Sequence, residues 1–351
     1  MARPAFHELP VARVDRLCAD AVAVTFDVPP HLADTFAFRP GQYLTLRQDV
    51  DGTEERRSYS ICAPQGAAPR IGVRRVENGL FSARLVDRLV PGDTLEVLPP
   101  QGKFTPDETT GHHAFIVAGS GITPALSIMD TVLAAGAHVT LLYGNRRSDT
   151  VMFADEIADL KDRYPGRFQL VHVLSREPRD VELFSGRLDA DRLRRLLDAI
   201  VPTSDVDHWW LCGPFGMLQD ADAALAAHDV PRQRVHRELF YVDEPPPEVK
   251  RADESTVEGT VAEVTVVLDG RETTLRLPAD TPILDAAQRV RADLPFACKG
   301  GVCGTCRAKV TAGAVEMRRN YALEDHEVAA GFVLTCQALP TSAEVTVDYD
   351  A

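Results

Sequence analysis

No apolar run in this 351-residue sequence approaches the ~20 residues a membrane-crossing helix requires. The stretch Met1 to Leu9 also lacks the apolar core of a secretory leader. A membrane partner is therefore not expected, and the expected localisation is cytoplasmic. Positive charge is in deficit, because 38 Lys and Arg stand against 52 Asp and Glu, a formal net charge of −14. A chain this acidic is a poor neutraliser of phosphates, so nucleic acid is not an expected partner either. Cysteine is sparse and odd in number, at seven. Four of the seven crowd toward the C-terminus, which suits ligation by thiolates better than a disulfide framework. Internal repeats and low-complexity tracts are absent. What remains is ordinary for a globular chain, 45% apolar and 26% charged, with length for two or three full-sized cores.

Residues 1–108 alternate in short runs rich in Val, Thr, Leu and Arg, such as Val22-Ala23-Val24-Thr25-Phe26 and Gln42-Tyr43-Leu44-Thr45-Leu46, broken by Pro and Gly turns. This spacing predicts an antiparallel β-barrel or sandwich. Over residues 112–242 the pattern becomes apolar strand, helix, strand: His113 to Ala118, a helix from Thr123, Val139 to Tyr143, a helix near Phe153 to Tyr164, and Phe168 to Leu174. That alternation predicts an α/β domain with a parallel sheet. Residues 243–259 include a proline-rich, charged stretch and read as an extended linker. Residues 260–351 open with a hairpin, Val261 to Leu268 and Glu272 to Leu277 around Asp269-Gly270, followed by a helix with Thr281 as N-cap and Pro282 at its first position. This last segment is the most acidic part of the chain. Ala252 to Ala351 holds 16 acidic and 9 basic residues, whereas the other 251 residues reach the same net −7 only over their greater length.

Cys298, Cys303 and Cys306 follow the spacing C-x4-C-x2-C, and Cys336 comes thirty residues later. This is the plant-type spacing for a 2Fe-2S cluster, in which two irons need four thiolates. The loop must bend sharply, and Gly300, Gly301 and Gly304 permit positive φ and a close approach of amide N–H groups. A zinc knuckle usually shows two separated C-x2-C pairs, and only one is present here. Cys18, Cys62 and Cys212 stand alone, and two of the three read as packing residues.

These residues resemble a plant-type ferredoxin domain of the β-grasp fold over roughly residues 260 to 350. Upstream, Arg57-Ser58-Tyr59-Ser60 is similar to the R-x-Y-S motif of the ferredoxin-NADP reductase superfamily. The resemblance implies that Arg57 pairs with the FAD pyrophosphate, that Tyr59 packs on the isoalloxazine and that Ser60 reaches N5, with Ser58 in the same strand. A guanidinium offers phosphate a bidentate fork, and an aromatic ring keeps water off the flavin face. Arg39-Pro40-Gly41-Gln42-Tyr43, Gly79-Leu80-Phe81-Ser82 and Pro100-Gln101-Gly102-Lys103-Phe104 occur in family order, and Gly79, Phe81 and Ser82 open a helix whose N-terminus suits the pyrophosphate.

Gly119-Ser120-Gly121-Ile122-Thr123-Pro124 follows a strand and begins a helix, so its backbone N–H groups are candidates for the nicotinamide dinucleotide. Pro124 replaces the third Gly of the usual fingerprint, as it does in this superfamily. Cys212-Gly213-Pro214 completes the pattern and implies Cys212 near the nicotinamide. Glu238 and Phe240 resemble the segment that lies against the flavin. Coenzyme choice turns on charge. The second strand runs into Arg146, and Ser175-Arg176 after the third is similar to the pair that grips the extra phosphate of NADPH, so NADPH is expected over NADH.

The order flavin barrel, nicotinamide α/β domain, β-grasp ferredoxin domain on one chain is similar to the reductase components of bacterial oxygenases. A hydride brings two electrons and the cluster takes one, so FAD between them is what the combination implies. Ser60, Cys212 and Glu238 are then the expected catalytic residues. The implied partner is an oxygenase component. Tyr143-Gly144-Asn145-Arg146, the run Asp293 to Cys303, Asn320-Tyr321 and the run Leu334 to Pro340 resemble, within that class, the reductases that serve di-iron epoxidases, and the resemblance implies a di-iron epoxidase as the acceptor. A reductase for a steroid or aromatic-ring hydroxylase is the alternative within enzymes, and a non-catalytic redox sensor the alternative outside them.

Overall fold

The computed structural model describes residues 5–50, 53–77, 79–241, 261–278, 280–291 and 293–351. The linker expected at 243–259 lies outside the described residues. The chain divides into two compact units, Met1–Phe240 and Tyr241–Ala351.

The first unit opens with six strands: β1 (His7–Cys18), β2 (Ala21–Phe26), β3 (Tyr43–Val50), β4 (Thr53–Ser60), β5 (Arg70–Arg74) and β6 (Thr94–Val97). Helix α1 (Leu80–Asp87) lies between β5 and β6. The strands pair antiparallel in the order β4-β3-β6-β1-β2-β5, and an antiparallel Ile61–Ile71 bridge joins the two ends of the row into a barrel. Period-two alternation explains the filling. Val22, Val24 and Phe26 on one face of β2 join the barrel core with Leu9, Leu44, Leu46 and Val73. Ala21 and Ala23 on the opposite face are small, and they are buried in a different core, which also holds Ile122, Ala125 and Met129.

That second core belongs to a five-stranded sheet of β7 (His112–Ala118), β8 (His138–Asn145), β9 (Phe168–Leu174), β10 (His208–Pro214) and β11 (Val235–Tyr241), in the order β11-β10-β7-β8-β9. Strands β10, β7, β8 and β9 are parallel, and α2 (Ile122–Ala134), α3 (Ala154–Arg163), α4 (Ala190–Ile200) and α5 (Phe215–Ala227) link or follow them. Burial on both faces accounts for the uninterrupted apolar runs of β7 and β10. The order reverses between β7 and β10, because β8 and β9 extend to one side and β10 and β11 to the other. Open α/β sheets bind ligands at that switch, beyond the C-terminal strand ends.

The second unit is a mixed sheet of β12 (Val261–Leu268), β13 (Arg271–Pro278), β14 (Arg307–Ala312), β16 (Phe332–Leu334) and β18 (Glu344–Asp348), in the order β13-β12-β18-β14-β16, with β15 (Val315–Met317) paired to β17 (Ala338–Pro340). Helices α6 (Ile283–Ala287) and α7 (Asp325–Ala329) complete it. The β12–β13 hairpin turns where expected, with φ of 54° at Asp269 and 67° at Gly270. The following helix begins later than expected. Pro282 is extended, with ψ 139°, and serves as the cap position, while Thr281 donates its N–H to Pro278 in a preceding turn.

Candidate functional site

Strand β4 carries Arg57-Ser58-Tyr59-Ser60 in strict register with β3, pairing Arg57 with Leu46 and Ser60 with Tyr43. Alternation puts Arg57 and Tyr59 on one face and Ser58 and Ser60 on the other. Tyr59 packs 6.2 Å from the Phe81 ring at a 32° tilt, and burial pushes its phenol pKa up. Arg57 holds Glu55 at 2.7 Å and leaves about half its side chain in solvent, so its fork is oriented and still accessible. Ser58 shares a hydrogen bond with Thr45 at 3.1 Å. At the start of α1, the Ser82 hydroxyl accepts from Val76 N at 3.0 Å and donates to Gly79 O at 3.3 Å. That hydroxyl is occupied with the turn, so what this corner offers an anion is the helix N-terminus itself, capped by Gly79.

The nicotinamide candidates gather at the switch point. Gly119 to Gly121 form a tight 3-10 turn that continues into α2, and Thr123 Oγ1 closes it on Ser120 O at 2.9 Å. Pro124 falls in the first helical turn, where its missing N–H breaks no helical bond. A Cβ on Gly121 would lie 2.2 Å from Cys212 O, so the turn after β7 and the end of β10 touch backbone to backbone. Gly213 follows in β10, and Pro214 caps α5. The Cys212 thiol is buried and pushed up by desolvation, with the Glu238 charge adding to the effect. Phe240 packs against the core that holds Phe104 and Trp210.

Three elements then converge. Ser60 Oγ, from the barrel, donates to Glu238 Oε2 of β11 at 3.2 Å, and Glu238 lies close enough to Cys212 of β10 to act on its thiol. Desolvation raises Glu238 to about 8, against the hydrogen bond from Ser60, so the carboxyl is protonated at neutral pH.

At the outer strand ends, Arg176 N donates to Arg146 O at 2.8 Å and Ser175 N to Asn145 O at 2.9 Å. The two exposed guanidinium groups are thereby on neighbouring segments of backbone, and neither has an ion-pair partner among the described residues. Glu177 is engaged elsewhere, accepting from Ser148 N and Oγ at 2.9 Å each.

In the second unit the four thiols meet two by two, Cys298 with Cys303 and Cys306 with Cys336. Among the described residues no three His, Cys, Asp or Glu side chains converge as a single metal ion requires. Two thiol pairs fit two irons, each iron taking two thiolates. Hydrogen bonding from Cys303 and from nearby backbone N–H groups pulls the Cys298 thiol down, and Gly300 N points at its Sγ from 3.3 Å. The loop bends at Lys299 (φ 52°), Gly301 (φ 80°) and Gly304 (φ 69°). The left-handed position expected at Gly300 falls one residue earlier, on Lys299.

Of the lone cysteines, Cys62 is buried, bonds Arg70 O at 3.2 Å and is pushed up to about 12 by burial. Cys18 donates to Asp20 at 3.1 Å. Sequence reasoning passed over Arg74, whose Nη1 is 3.3 Å from where a Gly119 Cβ would be, and gave no site role to Tyr143, whose hydroxyl donates to Gly119 O at 3.0 Å. It also assigned no role to Thr335 and Gln337 beside the fourth cysteine. Of these, Thr335 and Gln337 have a local signal, their places on either side of a ligand.

Residues 8–105 match the oxidoreductase FAD-binding domain family, residues 115–223 the oxidoreductase NAD-binding domain family and residues 266–341 the 2Fe-2S iron-sulfur cluster binding domain family. The chain is 45% identical to one of the subunits that make up 1,2-phenylacetyl-CoA epoxidase in Escherichia coli (strain K12), over 99% of this chain and 98% of that protein. It is 36% identical to the ferredoxin reductase component of 3-ketosteroid-9-alpha-monooxygenase of Rhodococcus rhodochrous, over 97% and 96% of the two. Among solved structures, phthalate dioxygenase reductase, described as a modular structure for electron transfer from pyridine nucleotides to 2Fe-2S, aligns with a TM-score of 0.63 at 25% identity, over 98% of each chain.

Proposed function

The chain belongs to the family of oxygenase reductase components that join FAD-binding, NAD-binding and 2Fe-2S domains, and on that premise we propose that it carries electrons from NADPH to a di-iron epoxidase acting on phenylacetyl-CoA. The chemistry supplied by the bound groups is two-electron hydride uptake at the flavin and one-electron relay at the iron-sulfur cluster.

The chain's own residues position those groups and keep water out. Arg57 and the N-terminus of α1 hold the flavin pyrophosphate, and Tyr59, backed by Phe81, covers the ring. Ser60, with Glu238 behind it, presents a hydroxyl at the reacting edge. A protonated Glu238 places no negative charge beside a ring that gains electrons, and buried Cys212 seals the nicotinamide side. Gly119, Gly121 and Gly213 bring backbone close to the dinucleotide, while Arg146, Ser175 and Arg176 receive the 2′-phosphate that distinguishes NADPH. Cys298, Cys303, Cys306 and Cys336 ligate the two irons. The acidity of the segment after residue 252 adds steering toward a basic patch on the partner, an attraction that salt weakens.

The observation that carries this reading is the meeting of Ser60, Cys212 and Glu238 at the switch point of the sheet. The test is reconstitution. Purified protein, NADPH, O2 and the epoxidase component should convert phenylacetyl-CoA to its epoxide. Support of a steroid hydroxylase component with none for the epoxidase would overturn the choice of partner. A colourless purified protein without iron or FAD would overturn the electron path itself.

A further inference from the structure

Two buried side chains flank Cys336, and each reaches back to one end of the cysteine loop. Thr335 donates to Cys306 O from both its backbone N (3.2 Å) and its Oγ1 (3.0 Å), and its hydroxyl oxygen lies 2.7 Å from the Tyr349 hydroxyl. Gln337 is 3% exposed. Its Nε2 donates to Lys299 O at 2.8 Å and Cys336 O at 2.9 Å, and it lies 3.7 Å from Cys336 Sγ. The reversed amide is excluded, because it would set Oε1 against two carbonyl oxygens. Two amide hydrogens serve three acceptors, so one lies on Lys299 O and the other is shared between the carbonyl and the sulfur of Cys336. The Gln337 stem is also packed, its Cγ 3.1 Å from where a Gly301 Cβ would stand. Gln337 Oε1 is buried with no hydrogen-bond partner among the described residues, so of the amide's polar atoms only the donor nitrogen fixes its orientation.

We propose that Gln337 is a positioning residue for the 2Fe-2S centre, clamping the left-handed turn at Lys299 and directing an N–H toward the Cys336 sulfur. This rests on ligation by the four cysteines. A donor aimed at a ligand sulfur stabilises the state with the extra electron, and so raises the reduction potential. Thr335, whose donors end on a carbonyl, holds the loop without touching a sulfur.

The test uses the full-length holoprotein, with iron content, visible spectrum and cluster midpoint potential as readouts. Q337M keeps the length of the side chain and removes the donor, and Q337E replaces the donor with an acceptor. Both should show a more negative midpoint potential than the parent, Q337E the more so, whereas T335V should lower iron content and leave the potential of the loaded fraction in place. A fully loaded Q337M with the parent's potential overturns the proposal. Should both Gln337 variants fail to assemble a cluster, pulsed EPR of the reduced parent carrying side-chain 15N-glutamine decides. A resolved amide coupling supports the contact, and its absence overturns it. A parent without iron would show instead that the ligand assignment had failed.

Discussion

The hydroxyl of Ser60 and the carboxyl of Glu238, 178 positions apart in the chain, are joined by a 3.2 Å hydrogen bond. The bond ties the last residue of a barrel strand to the last strand of the α/β sheet, and with Cys212 it defines the point where the two domains of the first unit share a site.

Glu238 gives stability a pH dependence of known sign. Its folded value of about 8 stands above the ~4.3 of an exposed glutamate, so between the two the folded protein binds a proton that the unfolded chain has lost. Stability therefore falls as pH rises through this window, by up to about 1.4 kcal/mol per pH unit. E238Q should flatten the profile. Thermal melts of both proteins from pH 6 to 9 should show the parent's Tm declining relative to the variant.

Coenzyme preference should follow the paired guanidinium groups. Charge-assisted hydrogen bonds to phosphate contribute about 1.5–3 kcal/mol, so R176A should lower kcat/KM for NADPH by roughly 10- to 100-fold and leave NADH nearly unchanged. Steady-state kinetics with both coenzymes checks this. An equal loss with each would point to a structural effect.

Replacing Cys303 should separate the two halves of the electron path. C303S is expected to retain FAD and NADPH-dependent ferricyanide reduction, while losing the cluster's visible absorption and support of the oxygenase. Iron and flavin analysis with the two assays checks it.

Two glycines should respond with opposite signs. G121A forces a Cβ to within 2.2 Å of Cys212 O, a backbone atom that cannot move aside, and should cost about 1–3 kcal/mol or more while raising KM for the nicotinamide coenzyme. Gly216, in the first turn of α5, has nothing within 4 Å of its would-be Cβ, and G216A should stabilise by about 0.4–1 kcal/mol. Denaturant unfolding of both variants measures the contrast.

The parts legible in the sequence were those whose chemistry is local. The strand Phe168–Leu174 was bounded correctly because apolar alternation ends there. The turn at Asp269-Gly270 was found because few dipeptides accept two positive φ angles in succession. The helix after it was placed a residue early, since Thr281 satisfies the residue pattern of a cap while its N–H is committed to Pro278. Charge averaged over a segment does not say where individual charges stand. The last hundred residues are acidic, yet Lys299, Arg307, Arg318 and Arg319 stand in or beside the cysteine loop.

Residue order alone determined that four thiolates at plant-type spacing follow a flavin motif and a glycine turn, because bond lengths restrict what a short loop can ligate. Only the tertiary structure decided that the thiols pair two and two, that Ser60 meets Glu238, and that Gln337 reaches Lys299. Apart from Cys298 and Cys303, those contacts join residues far apart in the chain, up to 178 positions for Ser60 and Glu238, and their geometry depends on how strands stack and how completely water is removed. A string of letters carries neither quantity.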